Sequence, residues 1–332
     1  MTTIYDVSRL SGVSLATVSR VMNKKTGVSD KTRQKVEDAM LRLNYKPNTF
    51  AKSLASKRSN SVGILVSELH GPFYGVMMST IEKELRKSDI HAIIAAGHSD
   101  PEEEKEAIEF LLNRKCDALI LFVESVSDTY LVKLSKSGTP IVVLGRNIPR
   151  IKSCCINLDN EQGGYAATQI ALSHGHKKIA YISGPLWKKD TQDRLAGHKR
   201  ALKEHSLAFN EKLLYEGGFR EESGMEGMTH LLKLRTKFTA LICGNDEMAA
   251  GAMAAASDNG LSVPDDISIV GFDNSAFCNY LSPKLSTINY PVKEMSEMAA
   301  HWVLKNVYRD QKFHIENILA AEVVERDSVR QL

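Results

Sequence analysis

The sequence predicts an α-helical helix-turn-helix head followed by an α/β body of two doubly wound parallel-sheet subdomains. Three observations carry that expectation. Residues 1–60 hold 12 Lys and Arg against 4 Asp and Glu, whereas the other 272 hold 31 against 36. A basic head on a slightly acidic body points to a nucleic-acid contact confined to the head. Helix signals fill the first 45 residues, and from Ser61 the texture becomes alternating strand and helix.

The head reads as three short helices. Thr3 caps the first, with Asp6 in its first turn and Ile4, Val7 and Leu10 as the apolar stripe. Gly12-Val13 breaks the chain, and Ser14 caps a second helix to about Met22, with Val18, Val21 and Met22 facing inward. Ser29 opens a third, in which Val36, Met40 and Leu43 recur at helical spacing. Two short helices joined by a tight glycine turn, with a supporting third, describe a helix-turn-helix unit over residues 1–46. Residues 47–60 form a basic, polar linker with one short helical pattern, Phe50-Ala51-Leu54, too short to be stable alone.

Residues 61–332 form the body. Apolar runs at Val62–Val66, Ala92–Ala96, Ala118–Val123, Ile141–Leu144, Ile179–Ile182, Ala240–Cys243 and Ile267–Phe272 read as buried parallel strands with crossover helices between them. A body of this length favours two α/β subdomains over one sheet.

Several function classes drop out. Apolar residues make up 43% and charged residues 25%, an ordinary globular balance. No run is long enough for a membrane span, and Met1–Leu10 has no signal-peptide core. The five cysteines include no Cys-x-x-Cys pair, which argues for a reducing, cytoplasmic setting. Phosphate-loop, dinucleotide, zinc-protease and nucleophile-elbow signatures are missing. His174-Gly175-His176 reads as a helix end and turn, and Asp265-Asp266 as a turn after Pro264. Neither a metal site nor a cofactor is expected.

The informative stretches are Thr3-Ile4-Tyr5-Asp6-Val7, Gly12-Val13-Ser14, and Ala16-Thr17-Val18-Ser19-Arg20-Val21-Met22-Asn23. They continue through Tyr45-x-Pro47-Asn48, Ala51 and Leu54, then Arg194-Leu195-Ala196-Gly197, Asn245-Asp246-x-Met248-Ala249, Val270-Gly271-Phe272-Asp273 and Val324-x-Arg326-x-Ser328-Val329. On these the chain resembles the LacI/GalR family of bacterial transcriptional regulators along nearly its whole length. Within the family it is most similar to galactose-type and β-glucoside-type repressors. Ser8 and Ser11 stand where Ala is usual, and Gly145 where many members have a polar residue.

The resemblance implies a DNA-binding set of Thr3, Ser14, Leu15, Ala16, Thr17, Ser19, Arg20 and Asn23, with the second helix in the major groove. Arg20 is the side chain there with bidentate reach to a guanine edge, against the alternatives of a phosphate contact or a solvated surface arginine. The resemblance further implies a hinge helix over 48–56, with Asn48 and Ala51 at the operator and Leu54 as an apolar wedge in the minor groove.

The body is similar to periplasmic sugar-binding proteins. Ligands in such sheets lie beyond the carboxyl ends of the strands. That places Arg146, Asn245 and Asp273 as polar candidates; the family resemblance implies Arg194, in the helix after a strand, as the effector arginine and Phe73 and Phe219 as aromatic packing for the ligand. Sugars need this mixture of bidentate donors, carboxylates and an aromatic face. A salt bridge closing the cleft, or core packing of the two Phe, is the plainer alternative.

The expected protein is therefore a sequence-specific regulator and not an enzyme. Its implied partners are double-stranded operator DNA, a small-molecule sugar and a second copy of itself, with no membrane and a bacterial cytoplasmic, nucleoid-associated location. A dimer is expected over a tetramer, because no leucine heptads follow Ser328-Val329. The same fold with a non-sugar or co-repressing effector, a sugar-processing enzyme with a basic accessory domain, and a non-specific nucleic-acid binder are the competing classes.

Overall fold

The computed structural model describes residues 2–22, 26–45, 58–310 and 312–332. Contacts divide it into one unit up to Asn60 and another from Ser61.

The first unit holds α1 (Ile4–Ser11), α2 (Leu15–Met22) and α3 (Asp30–Arg42). Thr3 accepts the Asp6 N–H on its hydroxyl, and the Asp6 carboxylate takes the Thr3 N–H at 2.9 Å, which closes a capping box. Gly12 ends α1 at φ 69°, in the left-handed region. Ser14 and Ser29 cap the next two helices through their hydroxyls. Val7, Val18, Val21, Val36 and Ala39 form the small core. Leu10, expected inward, is 48% exposed. Ser11 takes the inward place one residue on, its hydroxyl donating to the Val7 carbonyl at 2.7 Å. Asn23, Asn48, Ala51 and Leu54 lie outside the described residues.

The body contains two parallel sheets. The first uses β1 (Ser61–Val66), β2 (His91–Ala96), β3 (Ala118–Leu121), β4 (Ile141–Leu144) and β5 (Cys155–Leu158). With β11 (Ile318–Leu319) added at the edge, the order is β11-β5-β4-β3-β1-β2. α4 (Pro72–Arg86), α5 (Pro101–Asn113) and α6 (Asp128–Leu134) connect its strands. The second sheet, ordered β7-β6-β8-β9, uses β6 (Ile179–Ser183), β7 (Leu214–Glu216), β8 (Ala240–Cys243) and β9 (Ser268–Val270). Its helices are α7 (Asn160–Ser173), α8 (Lys189–Glu204), α9 (Glu221–Lys233) and α10 (Asp246–Asp258).

One element departs from the all-parallel expectation: β10 (Thr287–Asn289) and β12 (Glu322–Val324) pair antiparallel beside the second sheet. α11 (Val292–Asn306) packs back on α4 and the first sheet. The chain therefore passes between the subdomains at 158–160, 290–292 and 319–322.

Glycines set how closely the second subdomain's helices pack. A Cβ on Gly164 of α7 would lie 2.0 Å from the Arg194 carbonyl oxygen of α8, and one on Gly197 of α8 would lie 2.0 Å from the Glu161 carbonyl oxygen. Backbone meets backbone there, so no side chain can move aside. Gly197→Ala should destabilise the body by about 3 kcal/mol, read by urea denaturation with an unchanged slope. Wild-type stability in that variant would mean that the two helices can separate freely.

Candidate functional site

Two surfaces carry the candidate residues. On the head, Ser14, Leu15, Ala16 and Arg20 are exposed along α2, while Thr17 and Ser19 are half-buried. The Ser14 hydroxyl is 3.0 Å from that of Thr17 and accepts its N–H at 3.3 Å. Thr3 is exposed beside its own cap. Capped first-turn N–H groups next to small side chains and one long cation can meet phosphates and base edges together.

On the body, strand order reverses between β1 and β3 in one sheet and between β6 and β8 in the other. Such reversals open a crevice at the carboxyl ends of the strands. Glu68 follows β1, Glu124 follows β3, Trp187 and Lys188 follow β6, Asn245 follows β8 and Asp273 follows β9. These residues line a cavity of about 280 Å³ between the subdomains. Phe73, Arg194, Phe219, Asn245 and Asp273 all reach it. Arg146 does not. It lines an adjoining cavity of about 370 Å³, where it donates to the Val126 carbonyl at 2.6 Å and to the Asp128 carboxylate.

Arg194 is fixed on every side. Its Nε donates to Asn160 Oδ1 at 2.9 Å and one terminal nitrogen donates to the Gly244 carbonyl at 2.6 Å. The guanidinium carbon lies 3.7 Å from the centre of the Phe272 ring. Asp190 and Asp273 each stand 3.9 Å from the guanidinium, within ion-pair range but beyond hydrogen-bond range. The guanidinium is therefore held without a direct hydrogen bond to either carboxylate.

The neighbouring groups are held as firmly. Asn245 accepts the Met248 N–H at 2.9 Å as the cap of α10 and donates to the Phe219 carbonyl at 3.0 Å. Phe219 has φ 64° and Asp273 has φ 116°, both in the region that favours glycine. The Phe219 ring fits because position 184 is glycine; a Cβ there would come within 2.1 Å of it. Phe73 stands edge-on to Tyr74, Phe122 and Tyr290, at 5.0–5.6 Å between ring centres. Lys188, from the second subdomain, bonds Glu124 of the first at 2.6 Å across the cleft.

Burial pushes the Asp273 carboxyl well above the usual carboxylate range, opposed by the Arg194 charge. Burial likewise raises Asp246 to about 6, against hydrogen bonds from Thr287 and the Ser275 N–H. Glu247 also rises to about 6, from burial and the nearby Glu221 charge. Among the described residues no group of His, Cys, Asp and Glu is placed to hold a metal, and no helix is long and apolar enough to cross a membrane.

A family model for bacterial regulatory proteins of the lacI family matches residues 3–48, and one for a periplasmic binding protein-like domain matches residues 168–329. The transcriptional regulator GalR of Escherichia coli K12 is 37% identical over 99% of this chain and 96% of its own. The chain belongs to the LacI family. It is a DNA-binding transcriptional regulator built on that family's two-subdomain body. A lac repressor dimer, solved bound to operator and an anti-inducer, superposes with a TM-score of 0.87 at 29% identity over 99% of both chains. The regulator CelR, solved as a cellobiose complex, superposes at 0.71 with 27% identity over 99% of this chain and 100% of its own.

In this LacI-family cleft, Glu124, Trp187, Lys188 and Tyr290 were not singled out from the sequence. The strand-end rule reaches Glu124, which follows the apolar run Ala118–Val123, and Trp187, which follows Ile179–Ser183. No local signal pairs Glu124 with Lys188, 64 positions away.

The raised carboxyls fix a pH dependence. A carboxyl whose folded pKa is raised holds its proton in the folded state after the unfolded chain has released it, so stability falls as pH rises through that window. For Glu247 the window runs from 4.5 to about 6. Glu247→Gln should flatten part of the decline in melting temperature across that range relative to wild type. Parallel curves for the two proteins would place the Glu247 carboxyl at its ordinary value.

Proposed function

We propose that this chain is a homodimeric repressor of sugar-utilisation genes, released from its operator when a galactose-like or β-glucoside-like sugar enters the cleft. The observation that carries the reading is the Arg194 clamp. A fixed guanidinium and two carboxylates flank a small space walled by Phe219 and the Phe73 cluster. Directed donors and acceptors serve hydroxyls, and aromatic faces serve the apolar side of a sugar ring. The relatives named GalR and CelR, the latter solved with cellobiose, support a saccharide. The lac repressor dimer on its operator supports the two-fold arrangement. So do exposed apolar side chains on the body, Val76 on α4 and Ile94 on the edge strand β2. The setting that fits is the bacterial cytoplasm, at the nucleoid.

On DNA, α2 enters the major groove, with Ser14, Leu15, Ala16, Thr17, Ser19, Arg20 and Asn23 facing bases and phosphates and Thr3 on the backbone. The segment carrying Asn48, Ala51 and Leu54 meets the minor groove between half-sites. Arg20→Ala should cost about 1–3 kcal/mol on the operator and relax specificity at one base pair per half-site, measured by titrating specific and random duplexes. Equal losses on both duplexes would reduce Arg20 to a phosphate contact.

Sugar can move the operator equilibrium only by binding the two body conformations with different affinity, and operator must then alter sugar affinity by the same factor. Asp273→Ala should remove sugar release while leaving operator binding intact, as read by operator titrations with and without a sugar panel. Unchanged sugar affinity in that variant would leave Asp273 as a brace for Arg194 and take the carboxylate out of recognition. Failure of every sugar to alter operator binding by the wild-type protein would overturn the reading.

A further inference from the structure

The cleft is divided into two adjoining cavities. The first cavity and the adjoining one share Phe122, Glu124, Trp187, Lys188, Asp190 and Tyr290 in their walls. At about 280 and 370 Å³, each lies near the lower end of the roughly 300–1,000 Å³ usual for small-molecule sites. The Glu124–Lys188 pair belongs to the shared wall, with side chains only 13% and 11% exposed. Trp187 belongs to it too and is 53% exposed, with the Lys188 ammonium 5.4 Å from its ring centre.

The second cavity has its own polar equipment. Arg146 commits part of its guanidinium to Val126 and Asp128 and retains further N–H donors. Asn147 and Gln192 offer carboxamides, which both donate and accept. Asn157 lines the same space, and its buried carboxamide oxygen has no hydrogen-bond partner. A buried acceptor left without a donor is costly, and a ligand hydroxyl would satisfy it. Carboxamides around an unpaired acceptor, beside an exposed indole, are chemistry for a second polyhydroxylated ring.

We propose that the effector is a two-ring glycoside, one ring in the Arg194 cavity and the second in the Arg146 cavity, linked across the wall formed by Trp187 and the Glu124–Lys188 pair. This rests on the saccharide reading above and narrows it from a sugar to a disaccharide-sized one. Such a ligand touches the ion pair that ties the two subdomains, so occupancy of the second cavity also bears on how the cleft closes.

Calorimetry on the full chain tests this with cellobiose and lactose against glucose and galactose. The better disaccharide should bind at least about tenfold more tightly than its own component monosaccharides, with one molecule per chain. Arg146→Ala should bring that ratio close to one. Asn147→Trp, at an exposed position that fills the second cavity, should do the same, and it decides the matter if Arg146→Ala fails to fold. A wild-type ratio near one, a ratio unmoved by Asn147→Trp, or two monosaccharides bound per chain would overturn the two-ring proposal and leave the saccharide reading standing. No binding of either size class, with operator binding intact, would overturn both.

Discussion

The body depends on how one buried cation is compensated. Arg194 is only 4% exposed, and an unpaired charge at such a site costs several kcal/mol. Its compensation comes from segments far apart in sequence. Asn160 opens α7, Gly244 follows β8, Phe272 and Asp273 follow β9, and only Asp190, one turn back on α8, is local to Arg194. Satisfying the guanidinium therefore brings the carboxyl ends of the second sheet and the starts of its helices to one place. The carboxylates stop at 3.9 Å, short of hydrogen bonding, so the site is ordered without being closed.

That arrangement needs close-packed helices behind it. α8 carries Arg194 and also Gly197, which meets the α7 backbone, while Gly164 of α7 meets the carbonyl of Arg194 itself. α9 and α10 use the same device: a Cβ on Gly224 or on Gly251 would lie within about 2.1 Å of a carbonyl oxygen of the facing helix. Positions that look like weak points in helix propensity thus set the register of the site. The strain at Phe219 and Asp273 is tolerated because neighbours fix both residues: Asn245 holds the Phe219 carbonyl, and the Asp273 N–H bonds the Ile288 carbonyl at 2.8 Å.

Much of this was legible in the sequence, for identifiable reasons. Seven apolar runs gave seven parallel strands; six are buried and so must be apolar on both faces, and the seventh, the edge strand β2, is apolar though partly exposed. Asn245 and Asp273 were found because they follow such runs directly. β5, β7, β10, β11 and β12 escaped: they are two to four residues long, and Leu214-Tyr215-Glu216 is not buried on both faces. Leu10 was misplaced because an eight-residue helix gives too few turns to separate neighbouring stripes. Arg146 sits at a strand end as expected, yet Val126 and Asp128 draw it into the second cavity. That outcome follows from a loop conformation, and loops carry no period.

That loop is itself set by a buried carboxylate. Glu104 of α5 is only 1% exposed and accepts the N–H groups of Glu124, Ser125 and Val126 at 2.7–3.1 Å. Position 97 must be glycine for Glu104 to lie there, since a Cβ would meet its side chain at 2.7 Å. The loop so fixed presents Glu124 to Lys188 and the Val126 carbonyl to Arg146. One carboxylate behind the cleft thus orients both the tie between the subdomains and the guanidinium of the second cavity. Packed elements of this kind have few intermediate arrangements, because moving one partner breaks all of its neighbours' bonds together. Displacing Glu124 from Lys188 would therefore disturb the bonds to Glu104 behind it, and the chain passes between the two subdomains so tied at 158–160, 290–292 and 319–322.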